Sequence, residues 1–269
     1  MPELPEVETI RAQLAPELRG AAVTDAWAFP SAKFTDAVLA VGGRFTDVRR
    51  RGKYLLADLD TGDGPAELVI HLGMTGRLSV GAPPRGGAHL RASWTLDDGR
   101  HLRFDDVRRF GRVAVVPRGE HGSLPTLAAL GPEPFDEAFT AEHLRASVNA
   151  SRRALKTQLL SQRVVAGVGN IYADEALWRA GIHPAARRLG PARAAALRDA
   201  LVAVLSEAIA HGGTTLRDYR QVDGGEGRNQ LRLECYGRHG LPCRRCGETL
   251  ARTVIDARST TYCRRCQRR

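Results

Sequence analysis

Residues 53–72 read KYLLADLDTGDGPAELVIHL, and their alternation sets the architecture of the first half of the chain. Two short apolar runs, residues 53–59 and 67–72, flank a turn signal at Asp63-Gly64, the pattern of two antiparallel strands closed by a hairpin. The pattern continues on both sides, from about Val23 to Val116. Leu90, Ala92, Trp94 and Leu96 share one strand face, Leu102 and Phe104 follow, and Asp98-Gly99 marks another turn. The expectation is an antiparallel β-sandwich of about a hundred residues.

Ahead of the sandwich, Val7, Ile10, Leu14 and Leu18 recur at helical spacing from Pro5, and Gly20 supplies a stop. A packed helix therefore anchors the N-terminus. Beyond it, Pro117–Phe139 is rich in Gly and Pro and precedes helical periodicity from Thr140 to Ala210. The fold class expected is α+β with two domains: a sandwich with a flanking helix at 1–125, a linker at 126–139, a helical domain at 140–230 and a four-cysteine zinc-finger hairpin at 231–269.

With 269 residues and a formal net charge of +10, the chain is long enough for two cores and suits work on a polyanion, although a basic surface also serves solubility. Residues 231–269 hold ten arginines against three acidic residues, so most of the excess charge lies at one end. Only Lys33, Lys53 and Lys156 are lysines. No signal-peptide pattern and no run of 18 apolar residues occurs, which points to a soluble, cytosolic protein without membrane contact.

Cys243-Arg-Arg-Cys246 is followed, after sixteen intervening residues, by Cys263-Arg-Arg-Cys266. Two thiolate pairs at this spacing make a tetrahedral structural Zn²⁺ site, and Zn²⁺ fits a closed set of four cysteines better than iron. Burial of four unbonded cysteines would drag the intervening arginines inside. The metal would order the loop bearing Arg252 and Arg258, with Cys235 left as a buried free thiol. In Gly167-Val-Gly169-Asn170, two glycines allow close approach of a ligand to the backbone. Asn170 is placed as N-cap of a helix whose exposed amides would suit a phosphate, though an ordinary helix–helix turn reads the same way.

The opening MPELPEVETI admits two readings. One is a helix start with acidic residues at the positive end of the dipole. In the other, loss of Met1 leaves Pro2 with a secondary amine titrating near ~7.7–8.0, partly unprotonated at neutral pH. Attack of that amine on a sugar C1′ gives an iminium that cannot discharge by losing an N–H proton, and so remains an electron sink. Glu3, and Glu6 one helical turn on, could move protons beside it.

MPELPEVE at 1–8, RRGKYLL at 50–56, HLGMTGRL at 71–78, RRFG at 108–111, AGVGNIYADEALW at 166–178, GGTTLRDY at 212–219 and DARSTTYCRRC at 256–266 occur in order. Together they resemble the bacterial formamidopyrimidine-DNA glycosylases of the Fpg/Nei family, over residues 1 to about 267. The resemblance implies a helix–two-turn–helix domain, one structural Zn²⁺, damaged double-stranded DNA in a basic cleft, a monomer, and a cytoplasmic, nucleoid-associated location. The activity it implies is removal of oxidised purines by base release and β,δ-elimination.

By the same resemblance Pro2 is the nucleophile, Glu3 the general acid/base and Glu6 its support. Lys53, set on a strand, contacts the damaged nucleotide or its phosphate. Asn170 and Arg258 clamp phosphates, with His71 and Tyr236 as further phosphate contacts. Met74, Arg108 and Phe110 fill the void left by the extruded base, and Arg217 lies in the loop closing over it. Val107 stands where proline commonly precedes RRFG, which bears on the shape of that loop, and Ser161 where aspartate is common, which bears on a local cap; Arg217 stands where lysine is common, which leaves base preference as the open point. Two alternatives stay in view: an endonuclease VIII-like enzyme for oxidised pyrimidines, and a non-catalytic lesion-binding zinc protein.

Overall fold

The computed structural model describes residues 2–82 and 87–269; Met1, whose removal the amine chemistry requires, lies outside them. The chain forms two compact units. One runs to Ala128 and includes His211–Arg228; the other comprises Ala129–Ala210 and Asn229–Arg269.

The first unit begins with α1 (Leu4–Leu18), capped by Glu3, whose side chain accepts from the Glu6 backbone while the Glu6 side chain reaches back to the Glu3 backbone. Val7, Ile10, Leu14 and Leu18 form its buried stripe, and each contributes about 1.5–3 kcal/mol by leaving water. Arg19 ends the helix and Gly20 follows at φ +83°, where the absent Cβ removes the penalty.

Eight strands follow: β1 (Val23–Ala28), β2 (Arg44–Arg51), β3 (Tyr54–Thr61), β4 (Gly64–His71), β5 (Gly76–Gly81), β6 (Leu90–Leu96), β7 (His101–Asp106) and β8 (Arg112–Pro117). A 3-10 turn, Thr35–Ala40, lies between β1 and β2. The strands form two four-stranded antiparallel sheets, ordered β1-β6-β7-β5 and β2-β3-β4-β8. Leu55, Ala57, Leu59, Leu68 and Ile70 from one sheet, and Leu78, Ala92, Trp94, Leu102 and Phe104 from the other, share a core with the α1 stripe. β3 carries buried residues at both parities of its alternation, so it reads as a nearly continuous apolar run.

The β3–β4 register pairs Thr61 with Gly64, so the turn is centred on Gly62–Asp63, one residue earlier than the Asp-Gly signal suggested. Gly64, at φ +119°, is the first residue of β4. Lys53 is likewise not on a strand. Arg51 pairs with Tyr54, leaving Gly52–Lys53 as a two-residue turn, and Gly52 at φ +56° supplies the positive φ that a II′ hairpin needs at its first central position. The Asp98-Gly99 signal does fall in the β6–β7 turn, with Gly99 at φ +84°. A short helix, α2 (Pro125–Ala128), closes this segment.

The second unit holds α3 (Ala141–Asn149), α4 (Leu155–Leu160), α5 (Asn170–Arg179), α6 (Pro191–Ala210), a 3-10 turn at Asn229–Arg232, and the hairpin β9 (Ala251–Ile255) and β10 (Arg258–Tyr262). Thr140 caps α3 by accepting from His143 N at 3.0 Å. α5 is buried from Ile171 to Trp178 and packs on α4, α6 and β10. No helix among the described residues is long and apolar enough to cross a membrane.

Ile255 pairs with Arg258, so Asp256 and Ala257 form the hairpin turn, at φ +45° and +60°. Thr157 Oγ1 donates to Asp256 Oδ2 and fixes that residue. Ala257 has no polar side chain to compensate in the same way, and a left-handed alanine is strained by about 1 kcal/mol. Ala257→Gly is expected to stabilise the second unit by about that amount, seen as a higher denaturant midpoint at unchanged slope.

Candidate active site and nucleic-acid interface

The N-terminus of α1 is a buried acidic corner. Pro2 is buried, and Glu3 and Glu6 are 2% and 1% exposed. Glu6 accepts from two amides, Glu3 N at Oε2 (2.7 Å) and Thr214 N at Oε1 (2.7 Å). The helix-start reading is thus part of the structure, but a cap explains neither the burial nor the second amide. Thr214 belongs to the segment 211–228, which returns to this unit. Gly213, at φ +81°, lies so close that a Cβ there would be 3.0 Å from Glu6 Oε1, and one on Gly227 would be 2.1 Å from Gly213 O. Tyr219 donates its hydroxyl to Gly212 O (3.1 Å); burial, with the Glu6 charge beside it, pushes this phenol far up and keeps it a donor. Gln13 accepts from Val222 N (2.9 Å) and Arg77 Nε donates to Asp218 O (3.0 Å). Arg217 rides this anchored segment with an exposed side chain.

Lys53 is buried in its turn. The next residue, Tyr54, pairs with His71 across β3 and β4, and the two rings lie 4.7 Å apart. His71 Nδ1 accepts from Gly73 N at 3.2 Å, which leaves the proton on Nε2. Burial, then the Lys53 charge, push the imidazole down to about 4 against an opposing effect of Asp106. His71 is therefore a neutral N–H donor at pH 7. Because its folded value lies below the unfolded ~6.5, the unfolded chain takes up the proton first; this contribution to stability is complete above about pH 6.5 and is lost as pH falls through about 4. An NMR titration of the ring nitrogens should show the Nε2–H tautomer and a midpoint near 4.

Met74 occupies the β4–β5 turn, half-buried, and Arg108 and Phe110 the β7–β8 loop. Phe110 is 51% exposed, and the Arg108 guanidinium stacks on its ring at 4.9 Å. Lys33 lies 5.9 Å from the same ring and donates to Arg109 O at 2.8 Å. An apolar tip that stays in water, braced by cations, suits contact with something flat and anionic.

In the second unit Gly169, not Asn170, is the N-cap of α5. Asn170 is the first helical residue and donates its side-chain amide to Ser259 O (3.1 Å), one residue from Arg258 on β10. Its Oδ1 is buried without a hydrogen-bond partner among the described residues. Gln162, at φ +64°, shapes the preceding loop by accepting from Gly167 N (2.8 Å) and donating to Val168 O (2.5 Å). Lys156 Nζ donates to Ser259 O and Thr260 Oγ1, both at 2.9 Å, and pairs with Asp174 at 2.6 Å. Asp174 also accepts from Thr261 N, while Glu175 accepts from the amides of Glu234, Cys235 and Tyr236 at 2.7–2.9 Å. Two buried carboxylates of α5 thus hold β10 and the stretch of chain bearing Tyr236.

Cys243, Cys246, Cys263 and Cys266 place their sulfurs within 4.8 Å of one another. Sγ separations of 4.0 Å for Cys243–Cys266 and 3.5 Å for Cys246–Cys263 bracket the edge of about 3.8 Å that a Zn–S tetrahedron requires. Trp178 Nε1 donates to Cys243 Sγ at 3.3 Å, and the Arg245 guanidinium covers its ring at 4.4 Å. The quartet fits one structural zinc ion. Cys235 is a buried free thiol directed at Thr261 O (3.1 Å).

Three family models match the chain: the N-terminal domain of formamidopyrimidine-DNA glycosylase over residues 1–113, its H2TH domain over 130–220, and the zinc finger found in FPG and IleRS over 240–269. The chain belongs to the formamidopyrimidine-DNA glycosylase family. It is 47% identical over 271 residues to the Thermus thermophilus formamidopyrimidine-DNA glycosylase, covering 99% of this chain and 98% of that one. The Deinococcus radiodurans enzyme is 42% identical over 277 residues, with 99% and 97% covered. The crystal structure of MutM (Fpg) from T. thermophilus superposes with a TM-score of 0.91 over 99% and 98% of the two chains. A Lactococcus lactis Fpg mutant in complex with Fapy-dG-containing DNA, 32% identical, gives 0.89 over the whole of both chains. MutM with carbocyclic 8-oxo-G-containing DNA, also 32% identical and matched over both full chains, gives 0.88.

Set against the family motifs, the first unit brings Pro2, Glu3 and Glu6 together with the segment carrying Arg217, Lys53 near His71, and Met74 near Arg108 and Phe110. The second brings Asn170 to the strand of Arg258 and holds Tyr236 through Glu175. The motifs assign no role to Lys156, Asp174, Glu175, Gln162 or Asp106. The first three had one available signal: charged residues inside an otherwise apolar helical pattern.

Proposed function

We propose that the chain excises oxidised purines, 8-oxoguanine and formamidopyrimidines, from duplex DNA and then cleaves the strand, with the Pro2 amine as nucleophile. The observation that carries this reading is the buried corner in which Pro2 sits beside Glu3 and a Glu6 fixed by two amides. Members of the family are DNA glycosylases, and relatives have been crystallised on lesion-containing DNA.

The Pro2 nitrogen lone pair forms a bond to C1′ of the damaged nucleotide as the C1′–N bond to the base breaks; the base leaves with that electron pair and a proton. Opening of the sugar ring gives a C1′ iminium. Loss of a C2′ proton then expels the 3′-phosphate, and a second elimination expels the 5′-phosphate. Glu3 is placed to move these protons, while Glu6, with both oxygens committed to amides, holds Glu3 and the 211–228 segment in register. Lys53 and His71 in the first unit, and Asn170, Tyr236 and Arg258 in the second, are assigned to phosphates. Met74, Arg108 and Phe110 take up the space of the extruded base, and Arg217 lies over it. The zinc ion, held by Cys243, Cys246, Cys263 and Cys266, maintains the hairpin; four protein thiolates leave no coordination position for chemistry.

Borohydride trapping on a duplex with 8-oxoguanine opposite cytosine, beside a duplex with an oxidised pyrimidine, tests this. Adduct mapped to Pro2 and much stronger on the first duplex supports it. Adduct confined to the second reverses the substrate assignment to the endonuclease VIII-like branch. Binding without adduct on either favours a lesion-binding protein.

A further inference from the structure

The β4–β5 turn and the β7–β8 loop are one locked body. Asp106, at the end of β7, is 0% exposed and sends its carboxylate into the gap between them. Oδ2 accepts from Gly111 N at 2.7 Å; Oδ1 accepts from the Thr75 hydroxyl and from Arg108 N at 3.2 Å. Thr75 Oγ1 in turn accepts from Arg108 N at 3.0 Å. Thus one carboxylate and one hydroxyl bind the residue after Met74 to both ends of the Arg108–Phe110 tip.

The backbones themselves are in contact. A Cβ on Gly73, at φ +63°, would lie 2.5 Å from Gly111 N and 2.5 Å from Phe110 C, and one on Gly111 would lie 2.5 Å from the Phe104 ring. At Gly73 no side chain fits between the two loops, and at Gly111 none fits over the Phe104 ring. From below, Arg91 is buried and donates Nε to Asp106 O at 2.9 Å.

We propose that Asp106, with Thr75, is a positioning residue for base extrusion: it holds Met74, Arg108 and Phe110 as a single preformed wedge. The inference rests on the void-filling role assigned above. Extruding a stacked base costs stacking and pairing free energy, and the wedge offsets that cost only if it is rigid before the base leaves. Disordering it should therefore slow reactions that need extrusion and spare those that do not. Asp106→Asn keeps the shape but turns an NH2 toward either Gly111 N–H or the Thr75–Arg108 pair, a donor–donor contact. Thr75→Val removes the hydroxyl bridge while leaving Asp106 intact.

The test compares, for wild type, Asp106→Asn and Thr75→Val, single-turnover excision from an 8-oxoguanine duplex with strand cleavage at a preformed abasic site, which has no base to extrude. The expected result is an excision rate about 10- to 100-fold lower for Asp106→Asn, and about threefold to tenfold lower for Thr75→Val, with abasic cleavage within about twofold of wild type for both. Equal losses on both substrates, or no loss on either, overturn the proposal. Wild type that cleaves neither substrate overturns the functional reading itself, and the wedge with it.

Discussion

Glu3→Gln is expected to lower excision from an 8-oxoguanine duplex by about 10²- to 10⁴-fold, the range for removing a positioned proton carrier, while affinity for the same duplex stays within about threefold. The substitution keeps an acceptor oxygen for the Glu6 amide, so the cap at the start of α1 survives and the helix with it. What disappears is the carboxylate proposed to give and take a proton for the Pro2 amine. The effect should fall on the single-turnover rate, measured by quenched flow, with binding followed by fluorescence anisotropy. A parallel collapse of binding would mean that Glu3 holds structure rather than protons.

Loss of the metal should have an effect of similar size on a different quantity. Structural zinc is bound with apparent free energies of about 10–16 kcal/mol, and that energy is folding energy. In this chain it stabilises residues 240–269, where the ligand pairs flank β9 and β10. Cys263→Ser, or exhaustive chelation, should expose the amides of β9 and β10 to hydrogen exchange and weaken lesion-duplex binding by about 100-fold, as the phosphate contact proposed for Arg258 is lost and Asn170, whose amide donates to Ser259 O, is loosened. Trp178, which donates to Cys243 Sγ, gives a fluorescence signal for the same event. The first unit, whose core contains none of these residues, should keep its melting transition. Unchanged exchange in the metal-free protein would mean that the hairpin stands on the Lys156 and Asp174 contacts alone.

Much of this was legible because it depends on short-range patterns. Helical spacing in Val7–Leu18 reflects one buried face, the two apolar runs within residues 53–72 reflect strands buried on both faces, and the cysteine spacing reflects the geometry of a single ion. Local signals mark that a turn or cap is present more sharply than they mark its register. Asp63-Gly64 marked a turn, but its register was set by Thr61 pairing with Gly64. Lys53 read as a strand residue because its apolar neighbours dominate the window, whereas Gly52 makes the turn there. Asn170 matches a cap because asparagine caps well; in the structure Gly169 takes the cap position and the Asn170 amide donates to Ser259 O. Asp174 and Glu175 stand out in the sequence only as charges within an apolar helical pattern, and Asp106 carries no comparable signal. Asp106 is bound by the Thr75 hydroxyl and by amides of the loop that follows it, whereas the backbone amides held by Asp174 and Glu175 lie 59 to 87 residues away.

The hydrogen bond from Thr214 N to Glu6 carries a consequence for the order in which the protein can be completed. Glu6 is among the first residues to leave the ribosome, and its second amide partner lies 208 positions later. The chain enters the second unit at Ala129, returns for His211–Arg228, and leaves again at Asn229. N-terminal segments of a growing chain generally fold first. Here the sandwich can assemble early, but its acidic corner stays open until the returning segment has been made. A nascent or truncated chain lacking that segment would keep the local Glu3–Glu6 cap but leave Glu6 without the Thr214 amide, so this corner takes its final form only when synthesis is nearly finished.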